Sequence, residues 1–314
     1  HTAYRRQRQM CIRDRCYRMK DYAHLHRDFR PVMDLTDRER ILFMGEPRWI
    51  AYQSAVNILG TLDSLLDAHK RPRMPNLLLV GDSNNGKTTL IRQFYKLRGE
   101  GYTNDDNDPV RPIILAESPT SADEKELYIA ILEQLWMPYR ATDTKVKLRY
   151  QVTHALRELK VKMLIIDEIH SMLTGSAIKQ REVMNALKLL CNTLMIPIVG
   201  VGTPDAVQIL HIDPQHASRF DVVKLETWKP GLDFQRLLKG FELVLPLKKP
   251  SNLSQSELAQ LLLSISGGNT GDLHRLLVEC ATEAITSGKE CIDRQLIESK
   301  AWTRPTHGIR HLVV

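Results

Sequence analysis

The sequence predicts an α/β protein: a five-stranded parallel sheet covered by helices on both faces, followed by a smaller all-helical segment. Three observations lead there. Short apolar runs alternate with stretches of helical period, the pattern of a parallel sheet with crossover helices. The first run, Leu77–Val80, passes at once into a glycine-containing loop and a helix. Beyond Lys229, helical period continues without further strand-like runs.

In chain order, Trp49–His69 keeps helical spacing through Ile50, Ala55, Ile58, Leu62 and Leu65. The strand Leu77–Val80 follows, and then the loop Gly81-Asp-Ser-Asn-Asn-Gly-Lys-Thr88 with a helix to Leu97. A polar loop (Gly101–Asp108) leads to a second strand, Pro112–Ala116, and to a helix with Tyr128, Ile131, Leu132 and Leu135 on one face, stopped by Pro138. A helix from Thr144 to about Leu159 precedes the third strand, Met163–Ile166, which ends in Asp167-Glu168. The helix carrying Val183, Met184, Leu187 and Leu190, the strand Ile196–Val201 and the strand Val222–Leu225 complete the alternation. In the helical segment, Ser254-x-x-Glu257 reads as a capping box, and Asp272 and Asp293 as N-caps. The expected organisation is a leader (1–18), an N-terminal arm (19–48), a nucleotide-binding α/β domain (49–228), a helical lid (229–300) and a tail (301–314).

The 314 residues, 43% hydrophobic and 26% charged, suit one medium or two smaller domains and exclude a disordered chain. No apolar run approaches the ~20 residues of a membrane-spanning helix. Of the +7 net charge, nearly all lies before residue 21, where six Arg and one Lys meet one Asp. Because the chain opens on His1, residues 1–18 are expected to be a non-native or disordered leader, so the basic balance says little about nucleic acid. Five cysteines, without a CxxC pair or zinc spacing, fit a reducing cytoplasm, with Cys191 and Cys280 buried.

Gly81-x4-Gly86-Lys87-Thr88 matches a phosphate-binding loop, whose backbone N–H groups wrap phosphate at a helix N-terminus. The expected nucleotide-binding residues are Gly81, Asp82, Ser83, Asn84, Asn85, Gly86, Lys87, Thr88 and Thr89. Lys87 would reach the β- and γ-phosphates, and Thr88 would ligate Mg²⁺. A buried strand has no structural need for the acidic pair at its end. Asp167 therefore suits Mg²⁺, and Glu168 suits the base that deprotonates an attacking water. A glutamate so placed favours hydrolysis over phosphoryl transfer to a small molecule.

Asn76-Leu-Leu-Leu-Val-Gly81 with Asn84-Asn-Gly-Lys87, Leu164-Ile-Ile-Asp-Glu-Ile-His170, Ile196-Pro-Ile-Val-Gly-Val-Gly-Thr203 and Ser218-Arg-Phe220 together resemble the TniB family. These are AAA+ ATPases of transposons, related to the TnsC-type regulators that include those of CRISPR-associated transposons. The resemblance spans roughly Asp34 to Ser299. It implies an AAA+ P-loop core with a C-terminal helical lid, ATP and Mg²⁺ as cofactors, and a bacterial cytoplasmic protein. It also implies a homo-oligomer, a ring or helical filament with a hexamer or heptamer per turn, that assembles on double-stranded DNA. That assembly would link a TniQ-type target selector to the transposase, and hydrolysis would take it apart.

Carried over residue by residue, Thr203 is either a sensor of the γ-phosphate or a turn residue in Gly-Thr-Pro. Arg219 stands where this class places the arginine finger of a neighbouring subunit, or is a surface salt-bridge residue. Gly271-Asp-Leu-His-Arg275 resembles the lid motif that sets a sensor Arg on the nucleotide; a one-residue slip would present His274 instead. Trp49, Ile50 and Tyr52 lie where AAA+ chains cover the adenine, or else belong to a core. Lys145, Lys147, Arg149, Lys179 and Arg181 fall in two regions that face the central channel of AAA+ regulators, or are solvated helix ends. With no helix-turn-helix or zinc module, DNA contact should be sequence-independent. His170 could link nucleotide state to a neighbour, or be merely structural. Rival readings are a helicase-loader ATPase of the DnaC or IstB sort and a nucleotide-switch NTPase that does not touch DNA.

Overall fold

A computed structural model describes residues 22–211 and 218–300, so the leader, the first residues of the arm and the tail lie outside the described residues. The chain divides into two compact units: Ser54–Glu226, and the residues up to Gln53 together with those from Thr227 onward.

In the first unit, five strands form one parallel sheet: β1 (Asn76–Gly81), β2 (Ile113–Glu117), β3 (Met163–Asp167), β4 (Ile198–Gly202) and β5 (Phe220–Leu225), in the order β2-β3-β4-β1-β5. Leu77 pairs with Val199 on one side and Asp221 on the other, while Leu164 pairs with Ile198. Strand residues alternate between faces. Leu78, Val80, Ile114, Ala116, Leu164 and Ile166 join one core cluster, and their neighbours Leu77, Leu79, Met163, Ile165, Val199 and Val201 are buried outside it. Both faces are therefore covered, which explains why these strands read as continuous apolar runs.

The helices of this unit are α2 (from Gln53 to Leu66), α3 (Lys87–Arg98), α4 (Glu124–Gln134), α5 (Lys145–Glu158), α6 (Ala177–Leu194) and the short α7 (Val207–His211). α3 packs against β1, β2 and β4, whereas α4, α5 and α6 pack on one another. Asp123, Thr144 and Ser176 cap α4, α5 and α6 through their side chains. Buried Asn76 locks the start of β1 to β4, because its Oδ1 accepts from Ile198 N–H (2.8 Å) and the Cys191 thiol (3.6 Å). The stretch expected as a plain loop instead pairs Tyr102–Thr103 with Pro109–Val110 as an antiparallel ribbon. Asn104 Oδ1 closes its turn by accepting from Asp108 N–H, with Asn107 left-handed at φ 65°.

The second unit contains α1 (Asp37–Met44), α8 (Leu232–Glu242), α9 (Ser256–Ser266), α10 (Thr270–Thr286) and α11 (Arg294–Glu298), with a 3-10 turn at Arg27–Asp34. The stretch read as an N-terminal arm packs with the C-terminal helices: Met44 belongs to their core and Ile41 packs against it, as does Ile50, expected in the α/β domain. Arg40, 1% exposed, is the staple. Its Nη1 and Nη2 donate to Glu290 at 2.9 and 2.6 Å, and its Nε donates to the Pro246 carbonyl at 3.0 Å. Lys248 Nζ reaches the same carboxylate at 2.8 Å.

Three local expectations change here. The capping box is Thr36-x-x-Glu39 at α1, whereas α9 begins at Ser256 behind Gln255, without a side-chain cap. Asn269 rather than Asp272 caps α10; Asp272 lies inside the helix, fully buried, with its N–H held by Asn269 Oδ1. Asn is as good an N-cap as Asp and lies earlier in the chain. Residues 49–52 are not helical, and α2 starts only at Gln53. Asp293 does cap α11, and Cys191 and Cys280 are buried free thiols. Among the described residues, no helix is long and apolar enough to cross a membrane.

Candidate functional site

The strand order brings the C-terminal ends of β1, β3 and β4 side by side, so the loop after Gly81, the pair Asp167-Glu168 and Thr203 leave the same edge of the sheet. In open α/β sheets this edge is where ligands bind.

The loop is built for an anion. Gly86 precedes α3 with φ 89° and offers no side-chain cap, so the first N–H groups of a 12-residue helix lack a side-chain acceptor. Gly81 has no room for a side chain, since a Cβ would lie 2.8 Å from the Leu225 carbonyl oxygen. Asn85 is buried, and its side-chain amide donates to Leu225 O (3.0 Å) and Glu226 O (3.2 Å), pinning the loop to the end of β5. Lys87 folds into the loop, donating to the carbonyls of Gly81 (2.9 Å) and Asp82 (2.8 Å). Burial lowers its pKa, opposed by the negative charges of Glu168, Asp167 and Asp82. Gly81→Ala should therefore displace β5 from the loop, costing about 1–3 kcal/mol of stability and abolishing nucleotide binding; thermal unfolding with and without nucleotide reads both.

Thr88 and Asp167, far apart in sequence, meet: Thr88 Oγ1 donates to Asp167 Oδ2 at 2.9 Å. No group of three His, Cys, Asp or Glu suited to a metal exists among the described residues. A hydroxyl beside one carboxylate instead fits Mg²⁺ of the kind that takes its other ligands from phosphate and water. Glu168 follows with a left-handed backbone (φ 54°, ψ 34°), which costs a non-glycine residue about 1–2 kcal/mol. Its N–H donates to Asp167 Oδ1 (2.9 Å), which holds the bend. Its side chain is 43% exposed, and Oε2 lies 3.3 Å from His170 Nδ1.

Thr203 opens the 3-10 turn Pro204–Ala206, yet its side chain makes no cap hydrogen bond and its buried Oγ1 has no partner among the described residues. The turn does not use the hydroxyl, which leaves it available to a ligand. Arg219 precedes β5 but turns inward, where its Nη1 donates to Asn192 Oδ1 on α6 at 2.8 Å and its buried Nε has no acceptor among the described residues. Asn192 belongs to no motif, and sequence reading offers no signal for it.

The remaining candidates in the helical unit are packed together differently. Trp49 stacks on Tyr52 (6.2 Å between ring centroids), which meets Trp228 edge-on at 5.0 Å. Burial pushes the Tyr52 hydroxyl up to about 12. Ile50 packs on the helical core. His274 lies against Phe241, and burial, then nearby Arg48, lower its pKa. Arg275 is half-buried and paired with Glu279 at 2.5 Å.

The basic candidates are largely neutralised. Lys145 pairs with Glu182 (2.9 Å) and Glu124 (3.5 Å), Lys147 with Asp143 (2.6 Å) and Lys179 with Asp123 (3.9 Å). Arg149 is half-buried, and Arg181 is exposed with no carboxylate paired to it among the described residues.

The family described as "Bacterial TniB protein" matches residues 40–230, more than half of the chain. Among curated proteins, none matches significantly. Among solved structures, the ORC2 protein of Aeropyrum pernix in ADPNP–ADP complexes is 16% identical, with a TM-score of 0.58 over 81% of this chain and 69% of that one. Cdc6p from Pyrobaculum aerophilum is 18% identical (TM-score 0.55; 82% and 68% covered). The Aeropyrum pernix ORC1 protein in complex with DNA is 14% identical (TM-score 0.52; 82% and 68% covered). At these identities the likeness is one of fold: the AAA+ P-loop core with a helical C-terminal region.

Proposed function

The chain belongs to the TniB family, and from that premise we propose that it is an ATP-dependent regulator of DNA transposition, hydrolysing ATP as an oligomer on double-stranded DNA. The observation that carries the reading is the 2.9 Å contact of Thr88 with Asp167, which joins the phosphate loop to the acidic strand end beside Glu168.

In this reading, the loop N–H groups from Asp82 to Thr89 bind the β-phosphate. Lys87 gives up the Gly81 and Asp82 carbonyls for the β- and γ-phosphates. Thr88 and Asp167 would hold Mg²⁺, which neutralises phosphate charge when bound. Glu168 takes a proton from water, whose oxygen bonds to the γ-phosphorus as the bond to the β–γ bridging oxygen breaks, giving ADP and inorganic phosphate. The idle hydroxyl of Thr203 donates to the γ-phosphate. Arg219 leaves Asn192 to serve the site of a neighbouring subunit. The ORC2 and ORC1 structures, one with nucleotide and one with DNA, are in keeping with this chemistry. Partners would be the transposase and a TniQ-type target selector, in a bacterial cytoplasm.

The decisive test is the ATPase rate and sedimentation of the full chain, with and without double-stranded DNA of unrelated sequences. DNA-stimulated hydrolysis with ATP-dependent large assemblies supports the regulator. Hydrolysis by a monomer, indifferent to DNA, leaves the nucleotide switch. That second reading has one observation in its favour: Lys145, Lys147 and Lys179 are already paired with carboxylates. In the regulator, Arg181→Ala should weaken binding equally across DNA sequences and lower the slope of log affinity against log salt by about 1 per bound subunit.

A further inference from the structure

At the ends of β3 and β4, two buried polar atoms have no hydrogen-bond partner among the described residues: Thr203 Oγ1 and His170 Nδ1. An unsatisfied buried polar atom costs about 1–3 kcal/mol, so each marks a place where a partner arrives. Thr203 has its partner in the reading above; His170 does not.

His170 belongs to the 3-10 turn Ile169–Leu173, which packs against β4 and against the turn Pro204–Ala206. Its ring presses on Gly202, where a Cβ would lie 3.3 Å from Nδ1 and 3.1 Å from the Ala206 Cβ. The ring thus takes up space that a side chain at position 202 would need. Nδ1 lies 3.3 Å from Glu168 Oε2, close enough to interact yet off the line of a hydrogen bond. The backbone of Glu168 is fixed by its left-handed turn and by Asp167, so its side-chain torsions remain to bring that carboxylate onto the line.

We propose that His170 is a positioning residue for hydrolysis. In the tautomer with its proton on Nδ1, it donates to Oε2 as the Glu168 carboxylate turns into its working position. One carboxylate oxygen is then fixed, and Oε1 is left to take the proton of the attacking water. This rests on Glu168 being the base. His170 touches neither water nor ATP in this arrangement, so its loss removes orientation while the base and the nucleotide contacts stay.

The experiment compares DNA-stimulated turnover, KM for ATP and affinity for a fluorescent ADP analogue in the full chain. The variants are His170→Asn, whose amide N–H can stand where Nδ1 does, His170→Gln, whose amide extends toward the place of Nε2, and His170→Leu. Misplacing a catalytic group by 1 Å costs up to about 100-fold. His170→Leu and His170→Gln should accordingly lower kcat about 10- to 100-fold with KM and ADP affinity within about 2-fold, while His170→Asn stays within about 5-fold of wild type. In a Glu168→Gln background, His170→Leu should cause no further loss, since the two act as one unit. Should His170→Leu fail to fold, the contrast of Asn with Gln carries the test. Wild-type turnover by His170→Gln, equal losses in Asn and Gln, or ADP affinity falling in step with kcat would each overturn the proposal. A wild-type protein that binds ADP but does not hydrolyse ATP would instead overturn Glu168 as the base, and the positioning role with it.

Discussion

Glu168→Gln should lower ATP turnover by about 10²- to 10⁴-fold, the range that general-base catalysis supplies. The substitution keeps size and shape but removes the charge that accepts water's proton. Lys87, Thr88 and Asp167 remain in place, so nucleotide affinity should hold. If hydrolysis is what loosens the oligomer, the variant should stay assembled on DNA after ATP is added, for minutes rather than seconds. Single-turnover kinetics and DNA retention after dilution measure the two effects separately. Rapid phosphate release and rapid dissociation together would count against Glu168 as the base.

The second large effect concerns stability. Arg40→Met should destabilise the protein by about 3–5 kcal/mol, because it leaves the buried Glu290 charge with only Lys248 beside it. Replacing both partners, Arg40→Met with Glu290→Leu, should recover much of the loss, since an apolar pair avoids the desolvation cost. Denaturant unfolding of the three chains gives the numbers. The same pair predicts a pH response. Burial raises the Glu290 pKa, but hydrogen bonds from Arg40 and Lys248 outweigh it and hold the carboxyl down at about 2, against an ordinary 4.5. The folded carboxyl therefore stays ionised where the unfolded one takes up a proton. Its contribution, about 3 kcal/mol, is complete above pH 4.5 and lost as pH falls toward 2. In Arg40→Met, that acid limb should flatten.

What the sequence made legible was whatever is written in contiguous residues. The loop Gly81–Thr88 and the pair Asp167-Glu168 each carry their chemistry in one stretch, and the alternation of apolar runs with helical period predicts all five strands. The site's geometry was partly legible, because an acidic pair at a strand end and a phosphate loop suit each other chemically. What escaped was set by partners distant in the chain. Nothing near Arg40 announces Glu290, so residues 19–48 read as an N-terminal arm. Nothing near Lys145 shows that Glu182 neutralises it, nor does Arg219 reveal Asn192. Caps failed where two good candidates competed, as at Asn269 and Asp272.

The strand order also bears on how the molecule comes into being. β1 is synthesised first, yet its hydrogen-bonded neighbours, β4 and β5, lie over a hundred residues further along the chain. The phosphate loop is pinned by Leu225 and Glu226, at the end of the last strand. Contacts this non-local close late and slowly, because loop-closure entropy must be met before they form. A nascent chain halted after β3 would carry every residue from Gly81 to Glu168 and still lack the walls of its phosphate cradle. Competence to bind nucleotide should thus arrive only once β5 has been made and has docked beside β1.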